Sequence, residues 1–159
     1  MRKHLRVGAA IVALALLAAG CGGDDAADEP SGTAAEIADE VFAEAGVEPF
    51  GEPVSLVTDE DLEFYLGSAN YPEFIDSAVV LPLINIDTRA LYILKTVDED
   101  QAAEVMEQLE EDVDPNRLIC VSFAPEDVVI DSRGGVVFMT INSDEAQRTA
   151  LAEAFTVIE

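Results

Sequence analysis

Apolar residues follow two rhythms along this chain, a helical spacing of three to four and nearly unbroken runs, and the switches between them mark the elements. Thr33-x-x-Glu36 has the spacing of a capping box, in which hydroxyl and carboxylate satisfy each other's backbone amides. Ile37, Val41 and Ala45 follow on one helical face, and Gly46 stands where that helix would end. Pro49 to Val57 is broken by Pro and Gly. Thr58 with Asp59, Glu60 and Asp61 opens a short helix through Leu62, Tyr65 and Leu66 to Gly67, since acids suit the positive end of a helix. Ser77 to Ile86 is apolar on both parities, as a covered strand is, while Pro82 lacks a ladder donor and predicts an edge or a bulge. Asn85 to Thr88 predicts a turn, and Arg89 to Val97 a returning antiparallel strand.

Asp98, Glu99 and Asp100 open the next helix, with Ala102, Met106, Leu109 and Val113 on its apolar stripe. Asp127 to Ser132, then Arg133-Gly134-Gly135, then Val136 to Ile141 predict a second hairpin, because glycine supplies the positive φ of a tight turn. Ser143 and Asp144 cap a last helix whose stripe is Ala146, Ala150, Ala154, Phe155 and Ile158. The pattern predicts one α+β domain over residues 33–159: a four-stranded, mainly antiparallel sheet with helices packed on one face. It contains two strand-strand-helix units after one or two N-terminal helices.

Residues 1–20 read differently. Arg2, Lys3, His4 and Arg6 precede an apolar run from Val7, and Val7 to Gly20 spans only 14 residues. A membrane span needs about 20, so this is a secretory signal rather than a transmembrane helix. Its end, Leu16-Leu17-Ala18-Ala19-Gly20-Cys21, resembles the lipobox of bacterial lipoproteins, which implies that Cys21 carries diacylglycerol and becomes the mature N-terminus. Two acyl chains anchor durably without a spanning helix. Residues 21–32, rich in Gly, Asp, Glu, Pro and Ser, have the composition of an acidic flexible tether.

Composition narrows the partners. The 159 residues hold 33 Asp and Glu against 8 Lys and Arg, a net charge of −25, yet half are apolar and the mean hydropathy is +0.21. Such a chain can bury a core, unlike a disordered acidic tail. Nucleic acid is excluded as a partner, because binding it needs cations that displace phosphate counterions. Signal removal takes away three bases and no acid, moving the net charge from −25 to −28. Anionic headgroups repel such a module, so the lipid must supply the adhesion.

Removal of the signal also takes His4, the single histidine, and with it every His-dependent triad, acid–base pair or zinc site in this chain. Cys120 lies in the apolar run Leu118 to Val121 without a CxxC partner, the setting of an inert buried thiol. Asp112-Val113-Asp114-Pro115-Asn116 copies the opening of a calcium loop, but Arg117 stands where the turn needs Gly and Phe123 where a closing Glu should be. Carboxylates are too abundant for any pair to single out a glycosidase. Glu110 to Asp112 at a helix end is electrostatically unfavourable and hints at a cation or basic partner there. No catalytic, cofactor or metal residue is assigned.

Tyr65-Leu66-Gly67, Tyr92-Ile93-Leu94-Lys95, the helix after Asp98, Pro125-Glu126 and Gly134-Gly135-Val136-Val137-Phe138 together resemble a bacterial lipoprotein family known as domain of unknown function 4358. The likeness spans roughly Glu36 to Phe155 and implies location and fold, not activity. The expectation is therefore a non-enzymatic lipoprotein of the cell envelope, anchored at the extracytoplasmic membrane face through Cys21, that binds an envelope protein or a cation. The alternative is a small ion- or ligand-binding lipoprotein serving a transporter, which would need a pocket with converging polar groups.

Overall fold

The computed structural model describes residues 29–83, 88–114 and 122–159. In chain order they form helix α1 (Ala34–Ala45), strand β1 (Pro53–Val54), helix α2 (Asp59–Leu66), strands β2 (Asp76–Val80) and β3 (Ala90–Lys95), and helix α3 (Glu99–Asp112). A short 3-10 turn (Pro125–Asp127) leads to strands β4 (Val128–Arg133) and β5 (Val136–Ile141) and helix α4 (Glu145–Val157). The predicted α+β class with an antiparallel sheet is observed. The turn residues 85–87 and the last part of the strand predicted to reach Ile86 lie outside the described residues.

Local chemistry starts and stops the helices where the sequence places them. Thr33 Oγ1 accepts the Glu36 amide at 3.2 Å while Glu36 Oε2 accepts the Thr33 amide at 2.9 Å. Thr58 and Asp61 repeat the arrangement at 3.1 and 2.9 Å. Gly46 and Gly67 end α1 and α2 in the left-handed region.

Among the described residues the sheet has five strands rather than four, in the order β1-β2-β3-β5-β4, with every neighbouring pair antiparallel. The added strand is β1, which sets Pro53 opposite Val80 and Val54 opposite Val79 at the edge. Two residues, both exposed, display no period, so the pattern of the chain does not announce them. Ahead of it, Gly51 passes so close to the Leu81 carbonyl that a Cβ there would overlap it. Pro82 sits beyond the end of β2 rather than within a strand or at a bulge.

The helices cover both faces of the sheet, not one. Leu91 and Ile93 of β3 share a face with Val136 and Phe138 of β5, under Ile37, Val41 and Phe42 of α1 and Leu151 and Phe155 of α4. Ala90, Tyr92 and Leu94 turn the other way with Val137, Met139 and Ile141, under Leu66 of α2 and Ala102, Val105 and Leu109 of α3. The reason is the apolar character of both parities in the central strands. Burying each Leu, Ile or Phe contributes about 1.5–3 kcal/mol, so a single helical layer would forfeit half the core.

Helix α4 buries Leu151, Ala154 and Phe155, with Ile158 buried just past its end, whereas Ala146 is exposed and Ala150 half-buried. Its stripe is set by the large side chains, and Phe155 stacks on Phe138 with ring centroids 4.9 Å apart. The two strand-strand-helix units are present in order, but α3 and α4 lie on opposite faces. A rotation exchanging the antiparallel neighbours β3 and β5 runs normal to the sheet and preserves its faces. The repeat is therefore one of element order, not a symmetric duplication.

Candidate functional site

The lipidation residue Cys21 lies outside the described residues, as do residues 1–20 and the part of the tether at 21–28. Its last four residues, 29–32, lie against the domain. Glu29 Oε2 accepts the Gly135 amide at 3.0 Å, Pro30 is buried, Ser31 donates its amide to the Glu159 carbonyl at 3.1 Å, and Lys95 Nζ donates to the Gly32 carbonyl at 2.7 Å. These contacts gather the approaching chain, the end of β3, the β4–β5 turn and the C-terminus at one end of the sheet. Nearby, the Ala34 amide donates to Asp76 Oδ2 at 2.7 Å and joins the start of α1 to the start of β2.

Because β3 ends there and α3 runs back along the sheet, the C-terminal turn of α3 arrives at the opposite end, beside the start of β4. Between them lies a groove of about 330 Å³ lined by Glu110, Val113, Phe123, Pro125, Val128 and Ile130. Val113 and Phe123 also border a void of about 20 Å³ beneath it, reaching Tyr65, Tyr92 and Met139, with space for about one water. The groove is thus apolar at its floor and acidic at its rim. From Glu110 to Glu126 the chain carries Glu110, Glu111, Asp112, Asp114 and Glu126 against Arg117 alone.

That negative charge sits at the wrong end of a helix, where unsatisfied carbonyls already concentrate partial negative charge, and no basic residue occupies the last turn of α3. The described cations are engaged elsewhere. Arg133 Nη1 donates to the Phe155 and Ile158 carbonyls, each at 2.8 Å. Arg148 bonds the Asn142 carbonyl and lies 3.5 Å from Asp127. The Arg89 guanidinium stands 4.8 Å over the Phe50 ring. With these and Lys95 turned onto the chain, the described cations do not offset the acids at the end of α3, where Asp112 accepts a bond from the Gln108 side chain at 3.5 Å.

The other acidic clusters have local structural work. Asp61 closes the cap of α2, and Asp98 caps α3 by accepting the Gln101 amide at 2.9 Å. Hydrogen bonds from the Thr33 amide first and its hydroxyl second hold the Glu36 carboxyl below its ordinary value of 4.5. Asp61 falls below 3.8 through the Thr58 hydroxyl first and then the Val57 amide. A shallow hollow on α4 is lined by Asp144, Glu145, Thr149 and Glu153, and Asp144 there is occupied in capping the Ala146 and Gln147 amides.

Of the remaining sequence candidates, Cys120 and residues 115–117 of the calcium-like stretch lie outside the described residues, and Asp112 and Asp114 stand at and just past the end of α3. Among the described residues no cluster of three or more metal-ligating side chains occurs, and no helix is long and apolar enough to cross a membrane. Sequence reasoning missed Phe123, Val128 and Ile130 as groove residues; the acidic end of α3 was the available signal. Compared with family models, curated proteins and solved structures, the chain matches none.

Proposed function

We propose that this protein is an envelope lipoprotein held at the extracytoplasmic membrane face by diacylglycerol on Cys21, and that its domain works by contact rather than turnover. The observation that carries this reading is the opposition of two ends of one sheet. Residues 29–32 are pinned at one end, and the acid-rimmed apolar groove opens at the other. A lipid at Cys21 would then hold the pinned end toward the bilayer and present the groove outward. A dense negative field keeps the module off anionic headgroups. The resemblance to the lipoprotein family of unknown function agrees with this placement.

The groove suits a segment of another envelope protein better than a small polar solute. Among the described residues its lining offers Glu110 as the one ionisable side chain, where a solute receptor needs several converging polar groups. The anchor is tested by expressing the full chain and its Cys21→Ala variant, labelling with a palmitate precursor and fractionating the cells. Wild type should carry label and sediment with membranes, and the variant should lose the label. Unprocessed, unlabelled wild type in the cytosol would end the proposal.

A further inference from the structure

Among the described residues strand β4 is an edge of the sheet, and its hydrogen-bonding phase is set from two sides. The Asn142 amide donates to the Asp127 carbonyl at 2.9 Å, and the Thr96 amide to the Gly135 carbonyl at 2.7 Å. Antiparallel neighbours exchange bonds at every second residue. Val129, Asp131 and Arg133 therefore bond to β5, while Val128, Ile130 and Ser132 turn their backbone groups away from it. Two of those amides are used locally: Val128 donates to the Pro125 carbonyl and Ser132 to Asp131 Oδ1 at 2.8 Å. The Ile130 amide and the Val128 and Ile130 carbonyls have no partner among the described residues. Val128 and Ile130 are also the β4 residues whose side chains line the groove. Backbone pairing capacity and an apolar trough thus coincide on the same two residues.

We infer that this edge receives an extended, basic segment of a partner protein, added as a sixth strand beside β4 with alternate apolar side chains in the groove and its cations among Glu110, Glu111, Asp112 and Glu126. Strand addition of this kind draws affinity from main-chain bonds and specificity from alternate side chains. Charge chooses the occupant. A second copy of this chain would bring its own net charge of −25 to an acidic rim, whereas Lys or Arg would relieve the repulsion at the end of α3. The inference rests on the contact reading above and specifies its partner.

The test uses the purified full-length protein and a labelled synthetic peptide alternating Lys with Val, followed by fluorescence anisotropy. Two further peptides of equal charge carry N-methyl groups either on the Val amides or on the Lys amides, so that one of them blocks the pairing edge and the other does not. The unmodified peptide should bind and weaken as salt rises. The two methylated peptides should differ in affinity by about tenfold, since one loses its bonds to the Val128 and Ile130 carbonyls and the other none. Glu110→Gln with Glu111→Gln should lower affinity about three- to tenfold and flatten the salt dependence. Hydrogen exchange at Ile130 should slow in the complex. Equal binding by both methylated peptides, or unchanged exchange at Ile130 under saturation, would reduce the interaction to nonspecific attraction and overturn the inference. None of these readouts depends on Cys21, so their failure is separable from failure of the anchor.

Discussion

Thr33 with Glu36 and Thr58 with Asp61 are the residues whose sequence spacing translates most directly into geometry, because each bond spans three positions and needs nothing from the rest of the molecule. Their pH behaviour follows from the lowered carboxyl pKa values. A group whose folded value lies below its unfolded one stabilises the fold above the unfolded value, and that contribution disappears as pH falls through the folded one. For Glu36 the loss begins near pH 4.5 and for Asp61 near 3.8. Urea denaturation between pH 7 and pH 3 should find Glu36→Gln and Asp61→Asn less stable than wild type at neutral pH, with the gap closing below those values. Protonation of the other acids affects variant and wild type alike and drops out of the comparison. A gap independent of pH would mean that the caps act through shape alone. Other residue pairings are illegible in the sequence for the opposite reason: Lys95 finds the Gly32 carbonyl 63 positions away, and Arg133 finds those of Phe155 and Ile158 across 22 and 25.

Among elements, the β4–β5 hairpin shows how local signal and distant contact combine. The Gly-Gly pair announces the turn, and of the two it is Gly134 that takes a positive φ, at 55°. What no pattern announces is Glu29 above it. A Cβ on Gly134 would lie 2.9 Å from the Glu29 side chain. Gly134→Ala should therefore destabilise by roughly 1–2 kcal/mol through the left-handed backbone, and should also push Glu29 away and loosen residues 29–32. Denaturation midpoints measure the first effect, and faster hydrogen exchange at the Ser31 and Gly135 amides the second. A loss of stability with exchange unchanged would separate backbone strain from the docking of the approaching chain. The hairpins and four helices were legible because each has its own period and caps. β1 was not, since two exposed residues become a strand only when β2 offers an edge. The α4 stripe is legible at Ala154, Phe155 and Ile158 but not at its start, where Leu151 rather than Ala146 is buried, because alanine at helical spacing does not say where a bulky neighbour will be needed.

For the whole molecule, charge is the dominant sequence-level property. A net −25 with the described cations turned onto the chain leaves a self-repelling surface. Raising sodium chloride from about 20 to 500 mM shortens the Debye length from roughly 20 Å to about 4 Å and should raise the melting temperature by several degrees. Scanning calorimetry checks this; a melting temperature that falls with salt would mean that attractive surface pairs outweigh the repulsion. The candidate site belongs to this scale as well. The acidic end of α3 was visible in the chain as Glu110 to Asp112, but its partners Phe123, Val128 and Ile130 reach it only through the sheet order. The sequence by itself determined the helix caps, the hairpins, the apolar central strands and the excess of acid, because these depend on neighbours within a few positions or on composition. Only the tertiary structure decided that both faces of the sheet are covered, which strand is left at the edge, and that the incoming chain and the groove lie at opposite ends. Those outcomes depend on how separate elements divide a shared core, and no window of sequence contains that division.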